Sequence, residues 1–159
     1  MGHIHSDSEY DFTVTGNIVY EGTFLLIKHK FLPFWLPPGG HIELSETPIE
    51  ALYKEIREES GIDQNDLTLV ETTSSPSGNA NGSIPLPFDI NIHPIGDAGH
   101  RHIDLGYMLI SSTNEVNPEE GESQEWKWFT KNEIELSDLI TPNVKKRAMF
   151  ALEYIGEKS

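Results

Sequence analysis

The chain contains no cysteine. Disulfides, thiolate metal sites and a cysteine nucleophile are therefore excluded, and a reducing cytosol is compatible with the sequence. Positive charge is scarce: 11 Lys and Arg stand against 26 Asp and Glu, a formal net charge of −15 over 159 residues. Such a surface repels phosphate backbones, so no nucleic acid is expected as a partner. No apolar run approaches the roughly 20 residues that span a bilayer. The N-terminus also lacks the basic-then-apolar layout of a signal peptide. The expectation is a cytoplasmic protein with no membrane partner. Internal repeats, low-complexity tracts and interdomain linkers are missing as well.

What is present suits one globular domain: 36% hydrophobic and 23% charged residues, enough for a single core. Residues 1–10, with His3 and His5, are expected to be flexible, and residues 11–159 to form the domain. Met1 to Ser6 fits an acylation pattern and Asn81-Gly82-Ser83 a glycosylation pattern. Without a basic patch or a secretory context, both are read as chance.

Strands are expected over residues 11–20 and 23–29 around a Glu21-Gly22 turn. Trp35-Leu36-Pro37-Pro38-Gly39-Gly40 has the chemistry of a constrained loop. A helix then begins with Thr47 as N-cap, Pro48 in the first turn and Glu50 completing a capping box, and it stops at Gly61. Ile49, Leu52 and Ile56 form its core-facing stripe. Further strands are read at 67–72, around Phe88, Ile90 and Ile92, around Ile103, Leu105, Tyr107 and Leu109, and at 125–129. A long loop is read at 74–86, a short helical turn near 132–139 and a final helix over 143–155. Helices mixed with non-alternating strands predict an α/β fold, a mixed sheet covered by helices.

Three carboxylates stand out. Glu55, Glu58 and Glu59 sit at i, i+3 and i+4, which places them on one helix face with neighbours roughly 5–6 Å apart. At an effective dielectric of about 20, each close pair repels by on the order of 2–3 kcal/mol; full exposure reduces this to a few tenths. Lys54 and Arg57 relieve part of the repulsion. A hard dication with oxygen ligands would relieve far more. Taken alone, the run reads as a solvated acidic face, the usual fate of charge runs.

From Gly40 to Ile62 the chain resembles the Nudix box, G-x5-E-x7-R-E-U-x-E-E-x-G-U, where U is aliphatic. Gly40, Glu46, Glu55, Ile56, Glu58, Glu59, Gly61 and Ile62 match; Lys54 stands where the family has arginine. The resemblance implies a Nudix-type α/β/α sandwich with a mixed β-sheet. It also implies a metal-dependent hydrolase that cleaves the diphosphate linkage of a nucleoside diphosphate derivative or nucleoside triphosphate. Its cofactor would be Mg2+ or Mn2+, and its partner a small nucleotide-type substrate. Carried over by position, Glu55, Glu58 and Glu59 are the catalytic and metal-binding residues, and Gly39 or Gly40 adds a carbonyl oxygen. Glu46 braces the loop. Lys54 replaces the arginine that orients the adjacent glutamate, and a lysine lacks that planar fork. The family's further loop carboxylate has two candidates here, Glu120 and Glu122.

Outside the box, His100, His102 and Asp104 alternate along one strand face. The functional reading is a polar substrate floor, with Arg101 or a histidine touching phosphate and Gly106 leaving room for a ligand. The bland reading is an internally hydrogen-bonded face, and a His-x-His zinc site is a third. Phe34 and Trp35 are read as packing. The final helix, with Ala148, Ala151, Leu152 and Ile155, covers the sheet, with a homodimer as the other use of that face. Isopentenyl diphosphate isomerases share the fold but need the absent cysteine. A non-catalytic Nudix-like nucleotide-binding or sensor domain is the alternative to an enzyme.

Overall fold

The computed structural model describes residues 10–158 apart from 79, 81, 97 and 98. Residues 1–9, with His3 and His5, and Asn81 of the glycosylation pattern lie outside the described residues.

Strand β1 (Tyr10–Tyr20) has two chemically different faces. Asp11, Thr13 and Asn17 are buried on one, Val14 and Ile18 on the other. Both faces are covered, so the strand does not read as a simple apolar alternation. Glu21 and Gly22 take positive φ, 43° and 77°, as a tight hairpin turn requires. The chain returns as β2 (Thr23–Lys28). Two short strands follow, β3 (Trp35–Leu36) and β4 (Gly39–His41), inside the segment expected to be loop. Helix α1 (Pro48–Ser60) starts and stops as its end residues dictate. Thr47 Oγ1 accepts the Glu50 N–H while Glu50 accepts the Thr47 N–H. Gly61 closes the helix at φ 72°.

After a 3-10 turn come β5 (Leu67–Val70), β6 (Asp89–Ile95), β7 (His100–Ser111) and β8 (Trp126–Thr130). Helices α2 (Lys131–Leu136) and α3 (Pro142–Lys158) end the chain. The strands form one mixed sheet in the order β3-β2-β1-β7-β5, with β4 on β1, β6 on β7 and β8 on β2. The β1–β7 pair is parallel over ten residues, Tyr10↔Arg101 to Val19↔Ile110; the other strand pairs are antiparallel.

Helix α1 covers one face. Ala51, Leu52 and Ile56 join Val14, Ile18, Leu25, Tyr107 and Leu109 in one apolar cluster. Gly16 allows the close approach, since a Cβ there would lie 2.7 Å from Ile56 Cδ1. On the opposite face α3 lays Val144, Ala148, Ala151, Leu152 and Ile155 onto Val19, Phe24, Leu26 and Met108. That face of α3 is therefore spent on the sheet and is not available for the dimer contact entertained from sequence. The α/β/α sandwich is present. Among the described residues no helix is long and apolar enough to cross a membrane.

Strand β6 alternates with the opposite sense to a core strand. Ile90 and Ile92 are 60% and 57% exposed, while Asp89, Asn91 and His93 turn inward. The reason lies in its strand neighbour, β7, whose inward residues at that end are His102 and Asp104.

Candidate active site

Glu55, Glu58 and Glu59 stand at i, i+3 and i+4 on the last two turns of α1. Glu55 is 4% exposed, and Gly40 of β4 lies directly against it. A Cβ on Gly40 would sit 2.5 Å from the Glu55 carboxyl carbon, so only glycine leaves room there. Glu59 Oε1 accepts the Gly39 N–H at 2.8 Å. Gly40 thus faces the Glu55 carboxylate while Gly39 reaches Glu59 through its backbone N–H, and their strand is held in place by β1 at Thr15↔Gly39 and Val14↔Gly40.

The electrostatics are those of a concentrated negative site. Burial, then the charge of Glu58, pushes Glu55 up to about 7, with Lys54 opposing and Glu122 adding to the rise. Burial likewise pushes Glu59 to about 8, against the Gly39 hydrogen bond and with Glu55, Glu122 and Glu58 assisting. Among the described residues Glu55 Oε1 is buried without a hydrogen-bond partner, and its nearest cation, Lys54 Nζ, is 4.0 Å away. A buried carboxylate oxygen in that position is costly unless a cation meets it. The donor set is all oxygen, the preference of a hard dication. These residues fit Mg2+ or Mn2+.

Lys54 points chiefly elsewhere: its Nζ donates to Glu46 Oε1 at 2.9 Å, and Glu46 also accepts the Glu43 N–H. Burial would raise Glu46, but the Glu43 N–H and Lys54 hold its carboxyl below the usual range. A lysine in this position braces the 43–46 turn and approaches Glu55 only by charge. Of the two loop candidates, Glu122 raises both Glu55 and Glu59 and shares with Glu59 a cleft of about 300 Å³. Glu120 is exposed on the turn beside it. The loop is anchored to the end of α1 by Asn117 N–H to Ser60 O and Glu119 N–H to Glu58 O.

The same cleft is lined by Lys28, His29, Lys30, Phe31 and Pro37. Sequence reasoning missed these cations. The available signal was a Lys-His-Lys run in a chain with only 11 Lys and Arg. Trp35, expected to pack, does so: its ring meets Phe129 edge-on at 5.2 Å.

The His-x-His-x-Asp face of β7 lies on the α3 side and does not line this cleft. Asp104 is 5% exposed and accepts Thr13 Oγ1 at 2.7 Å, Thr15 Oγ1 at 2.8 Å and Arg147 Nη1 at 2.6 Å. Arg147, from α3, also donates to Asp89 at 2.8 Å. The room over Gly106 is filled by that guanidinium, whose nearest atom would be 2.9 Å from an added Cβ. A ligand therefore does not occupy it. Arg101 turns to the other face and stacks over Tyr10 at 5.0 Å. His100 and His102 join His41, His93 and Asp11. Burial, then His41, His93 and His100, pushes the His102 imidazole down to about 4, against Asp11.

A family model for the NUDIX domain matches residues 12–151, and the chain belongs to the Nudix family. A solved Nudix-family hydrolase from Clostridium perfringens superposes with a TM-score of 0.80 at 32% identity, covering 91% of this chain and 97% of that one. Among curated proteins, the 8-oxo-dGTP diphosphatase of Proteus vulgaris is 34% identical over 89 residues, 55% of this chain and 61% of that protein. The ADP-ribose pyrophosphatase of Methanocaldococcus jannaschii is 38% identical over 74 residues, 45% of this chain and 44% of that protein. The match thus spans less than two thirds of either curated relative.

Proposed function

We propose that this protein is a metal-dependent pyrophosphohydrolase that cleaves a nucleoside diphosphate derivative or nucleoside triphosphate by attack of water at phosphorus. One observation carries the reading. A buried Glu55 oxygen lacks a partner between Gly40 and the neighbouring helix carboxylates, an arrangement that is unfavourable until a dication enters. The fold similarity to a Nudix-family hydrolase over nearly the whole chain supports it.

When bound, Mg2+ or Mn2+ supplies charge neutralisation at the phosphates and makes water acidic enough to attack near neutral pH. The protein's own residues do the rest by positioning. Glu55, Glu58 and Glu59 would hold the ion, with a Gly39 or Gly40 carbonyl as a further oxygen. Glu55 or Glu58 would accept the proton of the attacking water, and of the two loop candidates Glu122, which lines the cleft with Glu59, is favoured over the exposed Glu120 for sharing that task. Lys28 and Lys30 sit on the cleft wall where substrate phosphate would lie, with His29 and Phe31 beside them. Lys54 keeps the box loop in shape through Glu46. Arg101, His100, His102 and Asp104 remain candidate substrate residues only at a distance from this cleft, and Asp104 acts through its hold on Arg147.

The test is a panel of nucleoside triphosphates, nucleoside diphosphate sugars, ADP-ribose and dinucleoside polyphosphates, with Mg2+ or Mn2+ and with EDTA. Turnover that EDTA abolishes is expected for at least one class. The Glu58→Gln variant should lose about 10²–10⁴-fold in kcat while keeping its far-UV spectrum. Stoichiometric nucleotide binding with no turnover in any arm would instead establish a sensor domain.

A further inference from the structure

Four of the protein's seven histidines meet on the sheet face opposite the helix glutamates. His102 is the centre. It stands opposite Asp11 of β1 and His93 of β6 in the strand register. Its ring lies 4.9 Å from that of His41, 5.5 Å from His93 and 5.6 Å from His100, all edge-to-face. Asp11 is 3% exposed. One of its carboxylate oxygens accepts a hydrogen bond from His100 Nε2 at 2.9 Å and lies 3.6 Å from His41 Nε2, an ion-pair distance. None of these contacts belongs to the glutamate site: Gly40 faces Glu55, whereas the next residue of β4, His41, faces the other way.

We propose that Asp11, His41 and His102 form a second metal site, selective for a borderline transition dication of the zinc class rather than for Mg2+. One donor atom from each of the three falls within 4.8 Å of the others. Tetrahedral zinc with imidazole ligands needs donor separations of about 3.3 Å. Small rotamer changes in two rings would close that difference without moving a strand. Two imidazoles and one carboxylate are a donor set suited to zinc and poorly matched to a hard, all-oxygen dication. The surrounding groups supply the outer contacts that such ligands require. His100 Nε2–H donates to the Asp11 carboxylate at 2.9 Å. Asn91 Oδ1 lies 2.8 Å from His93 Nδ1, which fixes the ring beside His102. The ion would tie β1, β4 and β7 together at the end of β4 that adjoins the glycines meeting Glu55 and Glu59.

The experiment uses full-length protein without an affinity tag and with His3 and His5 replaced by alanine, stripped by chelator and held in excess Mg2+. Zinc content and binding are read by mass spectrometry of the metal and by calorimetry. One tightly held equivalent is expected, retained in a Glu55→Gln/Glu58→Gln/Glu59→Gln variant and lost in His41→Ala and in His102→Gln. His100→Ala, which removes only an outer contact, should weaken binding about 10–100-fold. Because His102→Gln could unfold the sheet, Co2+ added to the unmutated rings gives an independent readout: the ring-proton NMR signals of His41 and His102 should show paramagnetic shifts. Loss of the equivalent in the glutamate variant, or Co2+ that leaves both histidine signals unmoved, overturns the proposal.

Discussion

Arg147 is a cation buried to 6% exposure between two carboxylates, Asp104 and Asp89. Removing it strands the Asp104 charge in the interior, and breaking a buried pair in this way costs about 3–5 kcal/mol. Arg147→Met should therefore lower the melting temperature markedly. Adding Asp104→Asn should recover much of the loss, because no buried uncompensated charge then remains; the Asp89 side chain is 45% exposed and can be solvated. Two melts decide it: equal destabilisation in the single and double variants would mean that the pair does not matter. In the sequence, Arg147 ends a Lys145-Lys146-Arg147 run that looks like a solvated helix face. Only its spacing from Val144, Ala148 and Ala151 marks it as inward. Asp104 was legible as a strand-face polar residue, but its partner lies 43 positions away, beyond any local pattern. Glu55, Glu58 and Glu59 were legible because their spacing, glycines and caps are all local. Lys54 shows the limit of such legibility: its position was readable, its choice of Glu46 over Glu55 was not.

The ends of α1 determine where its carboxylates stand. Gly61 does this twice over. Its φ of 72° costs a side-chain-bearing residue about 1–2 kcal/mol, and an added Cβ would meet Asn117 O at 2.3 Å. Gly61→Ala should cost at least about 2 kcal/mol in total, which for a domain of this size corresponds to a fall of roughly 4–8 °C in Tm. Turnover should fall as well, since Asn117 leads into the loop that carries Glu122. A variant that melts normally would show that the loop yields freely. The caps of α1 were plain from Thr47, Glu50 and Gly61. Strand β6 was visible as an alternation, yet the sequence could not say which set turned inward. Its isoleucines face out because β7 brings a polar face to that end, and period two is blind to such parity. The short β3 and β4 read as loop because Pro37 and Pro38 separate them and each is too brief to alternate.

For the whole molecule the acidic site ties stability to pH and to metal. Without metal, Glu55 and Glu59 titrate at about 7 and about 8 against an ordinary 4.5. Folding thus favours their protonated forms. That stability is fully present below about 4.5 and is lost as pH rises through the two folded values. Metal must displace those protons, so its stabilising effect should grow over the same interval. Mg2+ should accordingly raise Tm more at about pH 8.5 than at about pH 6. Glu55→Gln/Glu59→Gln supplies the background of the other carboxylates. An Mg2+ shift of the same size at both pH values would contradict the linkage.

The long parallel seam between β1 and β7 also sets the order of assembly. Partners in it, such as Tyr10 and Arg101, are separated by about 90 positions. On a ribosome adding roughly 5–20 residues per second, one edge of the first strand waits on the order of 5–20 s before its mate is made. Over that interval the nascent chain offers an open strand edge to its neighbours. The hairpin with β2 can close early, but the sheet's centre stays open until β7 is made, and the β2 residues that pair with β8 wait longer still.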